Sequence, residues 1–294
     1  MVAARAIASQ RRPTRARLRL FVRRYPTVVG GVVILTLMLV IAVFAPWLAP
    51  EDPARINPRL RLRPPSAEHW FGTDHLGRDV FSRTLHGARV SLFVGFTVAL
   101  ASTLIGLAIG LVSGFIRRLD AVVMRVMDGL MAIPAILLAI AMISLSRSSI
   151  RTVIVAITIP EIPRVVRLVR SVVLTLREQL FVDAAVSLGA RLPRILAVHI
   201  MPNTLAPLVV QATYVCASAI IIEAILSFLG AGTPPDIPSW GNMMAEGRTY
   251  VLVAWWLLVF PGLFLSLVVL AVNLLGDGLR ETLDPRLRRS ARNL

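Results

Sequence analysis

From Val28 to Ala49 the chain carries no charge of either sign. A run of that length matches the roughly 20 apolar residues a helix needs to cross bilayer hydrocarbon. It is longer than the apolar stretch of a secretory signal, about 7–15 residues, so an uncleaved first transmembrane helix is expected. Eight Arg and no acid precede it within the first 27 residues, which places the N-terminus on the cytoplasmic side. The rest of the 294 residues has the same character, 56% hydrophobic and 16% charged. Soluble domains average about 25% charged. The fold class that follows is an all-α integral membrane protein.

Five further crossings are expected at about Val90–Ile116, Val122–Leu145, from Ile150 past Pro160 and Pro163, Leu205–Leu229 and Tyr250–Leu275. Six crossings return the C-terminus to the cytoplasmic side. The segments thereby assigned to the cytoplasm hold 22 Arg and the remainder 10, in keeping with the positive-inside rule. The chain thus divides into a basic tail 1–27, a first helix 28–49, an extracytoplasmic loop 50–89, a membrane core 90–275 and a tail 276–294. The loop holds seven Arg against Glu51, Asp52, Glu68, Asp74 and Asp79, so it is expected to fold and pair its charges. Trp255 and Trp256 suit an aromatic belt at the membrane surface.

The formal net charge is +16, and every basic residue is Arg. Without Lys there is no Walker-A loop, whose Lys reaches the β- and γ-phosphates, and no Lys Schiff base. Any ATP that drives this chain is therefore bound by another subunit. No basic stripe interleaves with aromatics, so nucleic acid is not an expected partner. Cys216 stands alone and four His lack the HExxH spacing, which removes disulfides and the common zinc sites. No GxSxG or Ser/His/Asp cluster points to a membrane-embedded enzyme.

The connecting segment 181–203, between the fourth and fifth expected spans, is the most informative. Asp183 to Leu188 suits a short helix, with Ala184 and Ala185 as strong formers and Asp183 at the favourable dipole end. Gly189 permits a left-handed exit, and the stretch then reaches His199 and Pro202. Pro193 is expected to cut short any helical continuation. These residues admit both a compact knob for a partner's cleft and a plain connecting loop.

The loop 231–242 is stiffened by Pro234, Pro235 and Pro238, and Trp240 beside Gly241 offers rigid apolar area. A gate over the path or a contact with an extracytoplasmic protein is expected there, a membrane-surface anchor being the simpler alternative. Ionisable groups within spans need a partner or a cavity. Asp128 has Arg125 at i−3, Glu161 lies between two prolines with Arg164 at i+3, and Glu223 has no charged neighbour in sequence. Glu161 is a candidate for lining the path, and Glu223 must face another helix, a subunit or the path. Gly106, Gly110 and Gly114 repeat at the spacing that lets helices approach closely.

Four segments together resemble a known family. Asp183-Ala-Ala, Gly189, Ile195 and Pro202 resemble the EAA loop of ABC importer permeases. Phe71-Gly-Thr-Asp-His-Leu-Gly-Arg-Asp-Val-Phe-Ser-Arg83, Leu226-Ser-Phe-Leu-Gly230 with Pro238-Ser-Trp-Gly241, and Leu275-Gly-Asp-Gly-Leu-Arg with Leu-Asp-Pro-Arg286 are similar to segments of the C-type permeases (DppC and OppC type) of dipeptide, oligopeptide and nickel importers. The resemblance implies the type I permease architecture and a second, homologous permease completing the translocation path. It also implies two cytoplasmic ATPases that hold ATP and Mg, and an extracytoplasmic substrate-binding protein. On this resemblance residues 183–202 form the ATPase-coupling loop, with Asp183, where the family usually has Glu, Ala184, Ala185, Gly189, His199 and Pro202. The chain itself would hold no metal or cofactor and perform no covalent chemistry. The competing reading is a self-sufficient carrier or channel, which would have only Asp128, Glu161 and Glu223 for ion coupling.

Overall fold

The computed structural model describes residues 25–146 and 149–283. The N-terminal arginine cluster and residues 284–286 of the Leu-Asp-Pro-Arg286 motif lie outside the described residues. The long elements are α1 (Pro26–Leu48), α2 (Val80–Phe115), α3 (Arg117–Ala132), α4 (Ala135–Ser144), α5 (Ile150–Leu176), α6 (Leu180–Ser187), α7 (Met201–Phe228), α8 (Trp240–Gly247) and α9 (Trp256–Leu283). Among the described residues the only β pairing outside helices is one bridge, Thr73 with Asp79.

α2 packs along α5 and α7, α7 along α9, and α9 along α1, which closes back on α2. Val28 of α1 lies against Gly278 of α9, so the start of α1 and the end of α9 share one end of the bundle. That end also carries α6 and is called the knob end below. The opposite, lobe end carries residues 50–79.

By length and apolarity four helices can cross a membrane, and the pair α3–α4 makes a fifth if counted as one broken span. The expected crossing that this criterion leaves out is the fourth, which falls on α5. Its 27 residues are long enough, but they include Arg151, Glu161, Arg164, Arg167 and Arg170.

Several expected boundaries move for local reasons. α2 begins ten residues before Val90, because Asp79 caps it by accepting from Ser82 N–H at 2.7 Å. Hydropathy marks only the part fit to cross lipid, whereas the cap marks where the helix starts. The third span is not continuous: α3 and α4 meet at 85°. Pro134 disfavours helical geometry at Ile133, which is extended at φ −93° and ψ 127°. Pro193 opens the short helix Leu192–Arg194 instead of cutting one short, since a proline's missing N–H costs nothing in a first turn. A π-helical turn, Ile195–Ile200, then leads into α7, where Pro202 has no N–H to continue the ladder.

Pairing expectations shift as well. Asp128 pairs with Arg167 of α5 at 2.6 Å, not with Arg125. Trp256 is buried, donating from Nε1 to the Thr73 carbonyl at 3.1 Å, so of the two tryptophans only Trp255 is exposed.

Candidate functional site

The knob is built from its own sequence upward. α5 ends at Leu176, a turn through Gln179 reverses the chain, and α6 buries Val182 and Ala185 near Ile195 and Ile200. Its other positions face out. Leu180 is 86% exposed and Leu188 88%, with Phe181 and Val186 also exposed. Gly189 has φ +77°. Its N–H donates to the Val186 carbonyl at 2.9 Å, and Ala190 N–H reaches back to Ala185 at 3.0 Å. This pair of bonds is a Schellman exit, which satisfies end carbonyls and favours Gly at the left-handed position. Asp183 and Ala184 are exposed in the first half of α6, Pro202 is exposed at the start of α7, and His199 is half-buried with its ring 6.5 Å from that of Phe181. The predicted residues therefore converge on one apolar protrusion.

At the lobe end, residues 57–79 fold into a lobe clasped by ions. Asp74 accepts from Arg78 Nε at 2.6 Å and lies 3.3 Å from Arg83 Nη1. Glu246 of α8 meets Arg78 at 2.6 Å and Arg83 at 3.2 Å. His69 Nδ1 lies 3.0 Å from Asp79 Oδ1. Phe71 stacks on Phe260 with centroids 3.9 Å apart. Of the charges in the loop 50–89, Asp74, Asp79, Arg78 and Arg83 are thus paired, and α8 is recruited to do so. Glu246 was not singled out from sequence, since nothing local marks an acid whose partners are 163 and 168 residues away.

The loop 231–242 lies beside this lobe. Trp240 is wholly buried, with Nε1 donating to the Thr84 carbonyl at 3.0 Å and its ring over Gly87. Its expected role as an exposed contact or surface anchor is therefore corrected: its area is spent locking the loop to α2. Gly241 is buried against Ala224 and Ser227 of α7. The carbonyls of Pro234 and Ile237 ring the Asn242 side-chain amide at 3.0 and 3.2 Å. Pro234 and Pro238 are half-buried, and Pro235 alone of the three is exposed.

Glu223 is buried beside this loop. Ser91 of α2 donates to it at 3.3 Å and Ser227 at 2.8 Å; Ser227 links on to Thr233, which donates to Ser239. It thus faces another helix, one of the alternatives open from sequence. Glu161 is buried mid-bundle, meeting Arg164 at 3.2 Å and accepting from Ser218 of α7 at 3.1 Å. On the same seam, toward the knob end, a cleft of about 450 Å³ opens between α5, α7 and α9, lined by Leu168, Gln211, Tyr214 and Arg280 among others.

The fold is thus that of a multi-helix membrane protein with two buried carboxylates and an exposed apolar knob at one end. Residues 102–289 match the family of the binding-protein-dependent transport system inner membrane component. Residues 15–65 match the N-terminal TM domain of oligopeptide transport permease C. The chain belongs to the first of these families, and it is an inner-membrane permease subunit of an ABC importer. It is 52% identical, over 98% of its own length and 99% of the relative's, to a Sinorhizobium fredii protein named "Probable peptide ABC transporter permease protein y4tQ". It is 44% identical to the dipeptide transport system permease protein DppC of Alkalihalophilus pseudofirmus, covering 88% of this chain and 85% of that one. In fold it resembles a chain of the inward-facing MetNI methionine ABC transporter, with a TM-score of 0.56 at 19% identity over 69% of this chain and 96% of the other. A self-sufficient carrier is not favoured beside these relatives.

Proposed function

We propose that this chain forms half of a translocation path for di- or oligopeptides, with a second permease supplying the other half. The single observation that carries the mechanism is the knob: an eight-residue helix with Leu180 and Leu188 almost fully exposed, ending in a left-handed glycine. Apolar side chains held out on a short rigid helix suit a groove in a partner protein. Two cytoplasmic ATPases, which bind the ATP and Mg, grip residues 183–202. On nucleotide-driven closure they displace the knob, and the bundle rocks between inward-open and outward-open states. Peptide is the substrate class because curated relatives at 42–52% identity are named for peptide or dipeptide transport.

In this reading the chain crosses the membrane six times, with tails 1–27 and 276–294 in the cytoplasm. α5 crosses with Arg164, Arg167 and Arg170 toward the cytoplasmic surface, and its Glu161 contributes to the path wall. The lobe of loop 50–89 and the loop through Pro234, Pro235, Pro238, Trp240 and Gly241 lie outside. There they form the gate on which an extracytoplasmic binding protein delivers solute. Because Trp240 is buried, contact falls to the exposed Pro235 side of the loop, and Glu223 braces the gate from within.

Gly189→Arg tests the coupling claim. Any side chain strains the left-handed backbone, and Arg adds bulk on the partner-facing surface. Transport by the reconstituted complex is expected to stop while the amount of chain in the membrane stays unchanged. Gly189→Asn, which tolerates that conformation, is expected to retain transport. Normal transport by Gly189→Arg would sink the knob's role.

A further inference from the structure

The last turns of α5 carry an arginine on almost every turn, and each points to a different partner. Arg167 meets Asp128 across a mostly exposed pair, of the kind that contributes little. Arg170 is different. Its guanidinium forks onto both carboxylate oxygens of Asp120, Nη2 to Oδ2 at 2.6 Å, in a half-buried setting. A bidentate fork fixes orientation as well as distance. Asp120 lies in the first turn of α3, where the helix dipole adds to its hold. Arg177, one residue past the end of α5, donates from Nη1 to the Gly114 carbonyl at 3.0 Å. That carbonyl belongs to the last turn of α2, whose end carbonyls lack helical partners.

These contacts matter because little else holds α3. Among the described residues it buries one side chain, Met127. α2 and α5 are already fused by close packing, since Gly106, Gly110 and Gly114 lie directly against Val165, Val169 and Val173. The chain enters α6 ten residues beyond Arg170, through the bend at Arg177–Gln179.

We propose that Asp120, Arg170 and Arg177 are positioning residues of the transport cycle. They yoke the knob and the end of α5 to the α2–α3 junction, so that displacement of α6 reaches α2 instead of being absorbed in a loose joint. α2 spans 36 residues, about 54 Å at 1.5 Å per residue. At its far end it holds Gly87 under Trp240, so the yoke connects the knob to the loop 231–242 through one rod. This rests on the knob as the site of force, and its test is separable from that reading.

The test uses the whole importer in proteoliposomes, with the sole native cysteine replaced (Cys216→Ala) and the pair Asp120→Cys and Arg170→Cys introduced. With both thiols free the strap is absent. Solute moved per ATP hydrolysed is expected to fall about tenfold, with subunit assembly and basal hydrolysis kept. Bridging the two thiols with a short, reducible methanethiosulfonate linker, its formation verified by mass, is expected to restore the ratio, and reduction to abolish it again. Asp120→Asn, which keeps shape and loses charge, is expected to lower the ratio about threefold.

An unchanged ratio in either unbridged variant overturns the proposal. Arrest of transport on bridging overturns it too, because α3 and α5 would then have to separate in each turnover. If Gly189→Arg transports normally while bridging rescues, the knob reading falls, and what stands is the Asp120–Arg170 link between α3 and α5 as part of the transport cycle, without the knob as its source of force. If Gly189→Arg is dead and bridging has no effect, the yoke alone falls.

Discussion

Trp240 illustrates how a residue's type is visible in sequence while its use is not. A tryptophan after a proline-rich stretch signals rigid apolar area, and that area turns inward, over Gly87, with the indole N–H satisfied by Thr84. Trp240→Ala is expected to cost about 3–5 kcal/mol of stability, read as a lower unfolding temperature of the purified protein in detergent. Trp240→Phe fills much of the space and gives up one hydrogen bond to a carbonyl that keeps its helical partner, so a smaller loss of about 1 kcal/mol is expected. Glu223 behaves alike. Its sequence says only that an acid lies in an apolar helix, and its partners, Ser91 and Ser227, are hydroxyls from two helices. Glu223→Ala leaves those hydroxyls buried without their acceptor and should destabilise more than Glu223→Gln, which still accepts. Equal melting temperatures for the two variants would show the network to be slack.

At the scale of elements, α2 and α5 form the tightest seam. Glycines at every fourth position bring the α2 backbone onto a row of β-branched valines four apart on α5. Without water to drive helices together, such close approach supplies dispersion contacts in place of a hydrophobic force. A Cβ on Gly110 would lie 2.7 Å from that of Val169 and 3.0 Å from the Val166 carbonyl oxygen. Gly110→Leu is therefore expected to pry the pair apart, lowering yield and thermal stability. Val169→Gly in the same chain should recover part of the loss, and recovery by a distant change such as Val259→Gly would remove the explanation. The glycine repeat was legible beforehand because it is periodic. The break between α3 and α4 was half legible: Pro134 was plain, but a proline alone does not distinguish a kink from an 85° turn.

Across the whole molecule, α2 runs from the clasped lobe to the knob end, and the ion pairs at its two ends differ in kind. At the lobe end, Glu246 holds Arg78 and the buried Arg83, tying α8 to the loop. Glu246→Ala is expected to weaken that clasp by about 2 kcal/mol and to speed proteolysis within residues 50–79 of the purified protein. Unchanged cleavage would mean that the stacking of Phe71 on Phe260 suffices. By itself the sequence determined the class: charge-free runs demand lipid, every basic residue is Arg, which offers no lysine for a Walker-A loop, and the Asp183–Pro202 pattern suits a short helix with a glycine exit. These follow from local composition and spacing, which need no partner to be read. Only the tertiary structure decided that α5 carries its arginines for α2 and α3, that Glu246 belongs to a loop over 160 residues earlier, and that Trp240 is a lock and not a contact. Each of these depends on which distant backbone comes within a few ångströms, and helix packing sets that where one-dimensional periodicity cannot.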